Sequence, residues 1–315
     1  RLNPTRGLGP IRATNPCGEQ PLHSYESCNL GSINVANFHD PGKPDAFDWE
    51  RFAGVVEVAV RFLDDVIDVN KYPLPRIAEM TRANRRIGLG IMGWADLLLK
   101  TGLRYDSEEA LRFAERLGAF LRAKAGEESA KLGALKGSFP NVAKSVFKGT
   151  ARRNATVLTI APTGTIARIA GCSSSIEPIF AFEFVSKIMD GEIRDVHPLY
   201  AEWKERNPDD PLPASFVTAH DISPEGHIRM QAAFQKHVDN AVSKTVNFKS
   251  TASMEDIEKA YLLAYELGCK GVTVYRDQSR ENQVLDTRPR SDAGRQPDGT
   301  AEEHGISPRA RNDVT

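Results

Sequence analysis

Cysteine is scarce in this chain: four in 315 residues, Cys17, Cys28, Cys172 and Cys269. That is too few for a disulfide scaffold, and none forms a C-x-x-C pair. The seven histidines show no H-E-x-x-H or comparable ligand spacing, so no structural metal is expected. Long apolar runs are missing as well. The stretch from Ala59 to Ile67 is broken by Arg61 and Asp64, well short of the roughly 20 residues a membrane span needs. Neither charge dominates: 41 Lys and Arg against 42 Asp and Glu leave a net charge of −1. No basic field therefore draws in nucleic acid or an anionic membrane, and a phosphate-bearing ligand must be held by local geometry. Position 1 is Arg, with no charged-then-apolar leader behind it, so the expectation is a fragment that works in a reducing cytoplasm.

What is present is an ordinary globular composition, 40% apolar and 26% charged, long enough for one large domain or two small ones. Asp48 reads as the N-cap of a helix through about Val69, with Phe52, Val55, Val56, Ala59, Leu63, Val66 and Ile67 on one face and Pro73 as its stop. A second helix starts near Ser107 and carries Leu111, Ala114, Leu117, Phe120 and Leu121, with Gly133 and Gly137 marking its decay. Residues 155–160 read as a buried strand that stops at Pro162 and Gly164. Ser223-Pro224 opens another helix, Ser253 with Asp256 forms a capping box for one that Gly268 ends, and 271–275 is a strand. The alternation predicts an α/β fold with a mainly buried sheet. From about Thr287 to Thr315 apolar residues almost vanish, which predicts a disordered linker or tail.

Two strings carry the strongest chemical signal. Asn15-Pro16-Cys17-Gly18-Glu19 puts an amide, a thiol and a carboxylate into one short loop, and Cys28 follows downstream. Pro16 and Gly18 favour a tight turn that presents Cys17 at a tip, although cysteine alone is more often a small buried hydrophobe. In Thr159-Ile160-Ala161-Pro162-Thr163-Gly164-Thr165-Ile166-Ala167 a strand empties into a loop with three hydroxyls, where the N–H groups of Thr163 to Ile166 suit a phosphate, especially if a helix starts at Thr165; a plain strand-to-helix turn is the alternative. Two other strings mislead. Gly88-x-Gly90-x-x-Gly93 satisfies a dinucleotide-binding pattern, but the upstream Thr81 to Arg86 is no hydrophobic strand, so close backbone packing is expected instead. Asp195-Val196-His197 begins like a cobalamin-ligand motif and fails at Tyr200, leaving His197 as a structural residue at a turn into a helix.

Asn15-Pro16-Cys17-Gly18-Glu19 and the block from Glu26 to Asn34 resemble the finger-loop region of ribonucleotide reductases. Further blocks resemble that family in its order: Arg85 to Gly93, Ala161 to Ile166, Ser175 to Phe180, Ser243 to Phe248, and Gly268 to Arg276. Pro16 and Gly18 around the cysteine, and Val274-Tyr275 where other classes have a Tyr-Tyr pair, resemble the cobalamin-dependent class. The resemblance implies part, mainly the second half, of a ten-stranded α/β barrel over residues 1–286 with a central finger loop.

It implies adenosylcobalamin as cofactor and a ribonucleotide, more simply a diphosphate, as substrate. In that scheme cobalamin homolysis generates a radical that takes the thiol hydrogen of Cys17, and the resulting thiyl removes the ribose 3′-hydrogen. Glu19 accepts the 3′-hydroxyl proton, Asn15 bonds the ribose hydroxyls, and Cys28 is half of a redox dithiol whose partner belongs to a missing N-terminal half. Pro162, Thr163, Gly164, Thr165 and Ile166 receive the phosphates. Further expected partners are a thioredoxin-type or dithiol reductant and a second copy in a homodimer, while Cys172 and Cys269 stay structural. Two alternatives stand beside this: a thiol acyltransferase pairing Cys17 with His23, and a non-catalytic half of a split reductase.

Overall fold

The computed structural model describes residues 3–188, 191–277 and 279, so the expected tail from Thr287 lies outside them. The chain opens with an antiparallel ribbon, β1 (Ala13–Thr14) and β2 (Pro21–Leu22), paired Ala13 to Leu22 and Thr14 to Pro21. Next comes β3 (Asn29–Asn34). Asp48 caps α1 (Trp49–Val69) by accepting a hydrogen bond from the Arg51 N–H at 3.1 Å, a contact worth about 1 kcal/mol.

The buried face of α1 is Phe52, Val56, Val60, Leu63 and Ile67, each worth about 1.5–3 kcal/mol on burial. Val60 belongs to it although the sequence reading omitted it, and Val55, expected inside, is exposed. Asn70 ends the helix before Pro73 is reached. After α2 (Pro75–Asn84), β4 (Ile87–Met92) pairs parallel to β3, Leu30 opposite Gly88 and Ser32 opposite Gly90. The glycine-rich string is thus itself a strand, followed by α3 (Trp94–Thr101).

Ser107 caps α4 (Glu108–Lys136), which runs through Gly133 rather than decaying there. The reason is packing: a Cβ at Gly133 would lie 2.6 Å from the Arg152 backbone nitrogen. Residues 156–160 follow as an irregular third strand, held beside β4 by Ile87 N–H to Thr156 O at 3.1 Å and Leu89 N–H to Val157 O at 2.8 Å. The short α5 (Gly164–Ile169) leads to an antiparallel hairpin, β5 (Glu183–Ile188) with β6 (Gly191–Val196), that the sequence reading did not foresee. Then come α6 (Pro198–Arg206), α7 (Pro224–Gln235), β7 (Thr245–Phe248), α8 (Met254–Glu266) and β8 (Thr273–Arg276).

Ile160 bridges Val242 in parallel, and β7 pairs parallel to β8. The order β3, β4, 156–160, 242–248, β8 therefore runs parallel with helical crossovers, which is the βαβ logic expected from sequence. Ile87, Leu89 and Ile91 point to the helix layer, in one cluster with Leu63 of α1 and Leu117 and Leu121 of α4. By alternation Gly88 and Gly90 face the other way, onto the inner surface where the β1–β2 ribbon lies.

Candidate active site

The ribbon is a finger, and its tip is tied by its own residues. The Gly18 N–H donates to Asn15 O at 3.0 Å, the Gln20 N–H to the Asn15 side-chain oxygen at 3.0 Å, and Gly18 takes φ +79°. This left-handed turn is what the Pro-Cys-Gly sequence favours. Cys17 stands exposed at the tip. Glu19, two residues on, is buried, and its Oε2 has no hydrogen-bond partner among the described residues. The Glu19 carbonyl is pinned to the wall by the Ala241 N–H at 2.9 Å and the Thr159 hydroxyl at 2.9 Å. The finger therefore rests on the third strand and on the chain just before Val242.

Glycines make room for it. A Cβ at Gly90 would collide with the Thr159 carbonyl, and one at Gly88 would lie 2.6–2.9 Å from Leu30, Thr159 and Gln20 side-chain atoms. The glycine string thus serves close backbone packing, as the sequence reading expected.

At the root of the finger, Glu26 accepts from Arg86 Nε at 2.7 Å, from Asn84 at 2.5 Å and from the His23 N–H at 2.9 Å. Both charged side chains are almost wholly buried, so removing either would leave an unpaired charge inside. Arg85 turns the opposite way, to Asp64 and Asp68 on α1 at 2.9 and 2.7 Å. His23 is buried with Nε2 against the Thr5 hydroxyl at 2.9 Å, an engagement that speaks against its use as a base for Cys17.

Cys28 sits where the finger returns to β3. Its neighbours hold the chain on both sides: Ser27 bonds Thr81 of α2 at 2.7 Å, and Asn29 donates to Leu63 O of α1 at 2.8 Å. Gly31 faces Leu63, so by alternation Cys28, Leu30 and Ser32 share the inner face. Although the residue is only half-buried, desolvation pushes the thiol far above its ordinary value; Arg86 opposes that shift, and Glu26 and Glu19 add to it. Those three influences put Cys28 in the electrostatic neighbourhood of Glu19.

Past Ala161 the second predicted string takes shape. Thr163 adopts φ +56° and precedes α5, which starts at Gly164. Its hydroxyl accepts the Ser175 N–H at 2.6 Å and is engaged within the protein. Gly164, Thr165 and Ile166 are exposed, and first-turn N–H groups have no intrahelical acceptor. Ser175, by contrast, is fully buried with an unpartnered hydroxyl.

His197 is indeed held structurally: it precedes α6 and its Nε2 lies 3.0 Å from Asp96. Cys172 and Cys269 are half-buried, their thiols pushed up to about 11 by burial, with Asp96 adding to the shift at Cys172. Asp64, Asp65 and Asp68 have the spacing of a metal site, but Arg85, Arg153 and Lys136 already pair with them. A cavity of about 630 Å³ alongside the finger, lined in part by Gly18, Arg86, Asn240 and Lys270, lies at the N-terminal ends of the strands. Residues 162–166 follow the C-terminal end of theirs, so that cavity and the hydroxyl-rich loop are at opposite ends. No helix among the described residues is long and apolar enough to cross a membrane. Sequence reading placed Thr159 at the start of the hydroxyl-rich string and not against the finger, and it missed Ala241 and Gln20; only the place of Gln20 beside Glu19 offered a signal.

Comparison with known proteins agrees with this geometry. The family described as "Ribonucleotide reductase, barrel domain" matches residues 1–152 and 142–275. A vitamin B12-dependent ribonucleoside-diphosphate reductase of Thermoplasma acidophilum is 46% identical over 310 residues, covering 90% of this chain and 40% of the relative. A protein of the same name from Mycobacterium tuberculosis is 47% identical over 308 residues, covering 90% and 44%. The chain thus spans less than half the length of these relatives. Among solved structures, the class Id ribonucleotide reductase alpha subunit of Actinobacillus ureae superposes with a TM-score of 0.70 at 24% identity, over 85% of this chain and 54% of that one, a likeness of fold. The five parallel strands are part of that barrel, and the chain belongs to the ribonucleotide reductase barrel-domain family.

Proposed function

We propose that this chain reduces ribonucleotides, in the first instance ribonucleoside diphosphates, to 2′-deoxyribonucleotides, with Cys17 as the radical-bearing thiol. One observation carries the reading: an exposed thiol at a finger tip, a buried carboxylate with an unpartnered oxygen two residues on, and a second thiol on the inner wall at the finger's return. The names of the relatives support the substrate and the cobalamin dependence.

The open surroundings of Cys17 suit the approach of a bulky group, and Cys17 is the residue adenosylcobalamin would abut. Bound there, that cofactor would supply the radical that takes the thiol hydrogen. The chain's own residues do the rest. The Cys17 thiyl removes the ribose 3′-hydrogen and later returns it. Glu19 takes the 3′-hydroxyl proton through Oε2, which needs a heavy-atom approach of about 2.6–3.2 Å.

Asn15 has its oxygen committed to the Gln20 N–H, so its amide donors are what it offers the sugar. Loss of the 2′-hydroxyl as water is matched by two electrons and two protons from a dithiol that closes to a disulfide. Cys28 is one thiol, and the remainder of the barrel supplies the other. The N–H groups of Gly164, Thr165 and Ile166 receive the phosphates, with Pro162 and Thr163 shaping the turn. A thioredoxin-type or small dithiol reductant reopens the disulfide.

The test is reduction of CDP to dCDP by the full-length protein that carries this chain, with adenosylcobalamin and dithiothreitol. Cys17→Ser is expected to fall to background with an unchanged melting temperature, because the side chain is exposed. Turnover in Cys17→Ser would overturn the radical assignment, and turnover without cobalamin would overturn the subclass.

A further inference from the structure

Gln20 is unlike any other residue of the finger. It is 3% exposed, yet both Nε2 and Oε1 lack a hydrogen-bond partner among the described residues. Its backbone is fully used, the N–H by the Asn15 side chain and the carbonyl by the Asn15 N–H, so the finger's shape does not need the carboxamide. The end of the side chain lies over Gly88, where Nε2 would be 2.9 Å from a Cβ, and Leu30 Cδ2 and Thr159 Cγ2 crowd the same point at 2.6 and 2.7 Å. An amide buried among methyl groups with its donors and acceptor unmet is costly and rare.

The surroundings define what it takes. Leu30 and Gly88 are register partners, Ser32 and Gly90 the next pair along the same face. The Ser32 hydroxyl is also buried and unpartnered. Cys28, one pleat before Leu30, closes the row, so unmet polar groups and the redox thiol share one strip of the inner wall. The other contacts at the Gly88 point are methyl groups of Leu30 and Thr159, an environment that disfavours a charged ligand. A carboxamide both donates and accepts, so the group that satisfies it must do the same.

We propose that Gln20 binds a neutral hydroxylic group on the inner face of β3 and β4 beside Cys28: a hydroxyl of the nucleotide's sugar, or the water that this hydroxyl becomes. The inference rests on the reductase reading for the identity of the nucleotide. Gly88 is the glycine that lets the carboxamide reach the strip, and the Ser32 hydroxyl is the next unmet polar group along it.

The experiment uses the full-length protein, wild type beside Gln20→Met, which keeps an unbranched chain of similar length and removes both hydrogen bonds. Equilibrium binding of CDP and of dCDP is measured without turnover, together with kcat, KM and a high-resolution crystal structure of the wild type. If the group is a sugar hydroxyl, wild type is expected to prefer CDP over dCDP by about tenfold, and Gln20→Met to lose that preference. If it is water, the preference is unchanged, density shows one water bonded to the carboxamide, and kcat falls about tenfold in Gln20→Met with KM within twofold. Unaltered binding and kcat in Gln20→Met, or a wild-type crystal structure with the carboxamide bonded to another side chain, would overturn the proposal. Gln20→Leu, which also lacks the carboxamide, replaces Gln20→Met in the solution measurements if the latter does not fold, and the wild-type crystal structure decides in either case. Absence of CDP binding and reduction in wild type sinks the reductase reading instead, while the occupant of the Gln20 site remains visible in the crystal.

Discussion

Thr159 and Glu19 lie 140 residues apart and meet through a hydrogen bond of 2.9 Å from the threonine hydroxyl to the Glu19 carbonyl. The same hydroxyl is 3.2 Å from Ala241 O, so one side chain joins the finger, the third strand and the approach to β7. Holding a backbone atom next to the Glu19 carboxylate is how a barrel wall can set the position of a finger that has only a two-pair ribbon of its own.

Thr159→Val keeps the side chain's shape and removes that bond. The expected loss is about 1 kcal/mol of stability, read as a lower urea midpoint. The Ala241 N–H still holds Glu19 O, so folding survives, and CDP reduction by the full-length protein should fall more steeply than stability does. Unchanged turnover would show that the wall does not position the finger.

Gly90→Ala and Gly88→Ala separate two kinds of close approach. A Cβ at Gly90 meets a backbone carbonyl, while one at Gly88 meets the ends of three side chains. Gly90→Ala is expected to cost about 3 kcal/mol or to prevent folding, and Gly88→Ala about 1 kcal/mol, because overpacking hurts most where nothing can move aside. Thermal melts of the two variants check the order, and the reverse order would contradict the register of β3 and β4.

Acid stability should report on His227. Burial first, and then the neighbouring Lys244, hold its imidazole down to about 3 from 6.5, while its Nε2 lies 3.0 Å from Ala219 O. The folded state thus refuses a proton that the unfolded state accepts. Stability contributed above pH 6.5 is therefore lost as pH falls from about 6.5 towards 3, with a slope approaching 1.4 kcal/mol per pH unit for one proton. His227→Gln should flatten that slope between pH 6 and 4 in chemical denaturation; an unchanged slope would assign the acid sensitivity elsewhere.

The sequence by itself determined the helix starts at Asp48, Ser107, Ser223 and Ser253, because a capping side chain bonds residues only two or three positions away. It also determined the tight turn around Cys17, since Pro16 and Gly18 dictate their own backbone. The order of the family's blocks marks the finger and the hydroxyl-rich loop. Only the tertiary structure decided which groups those loops keep for a ligand. Thr163, expected to offer a phosphate its N–H, spends its hydroxyl on Ser175, whereas Gln20, which no motif singles out, holds an unmet carboxamide. The inward Gly88 beside the outward Ile87 likewise depends on what lies across the fold. Hydrogen-bond satisfaction is a sum over partners that the chain brings together from more than a hundred residues away, and local pattern contains no term for it.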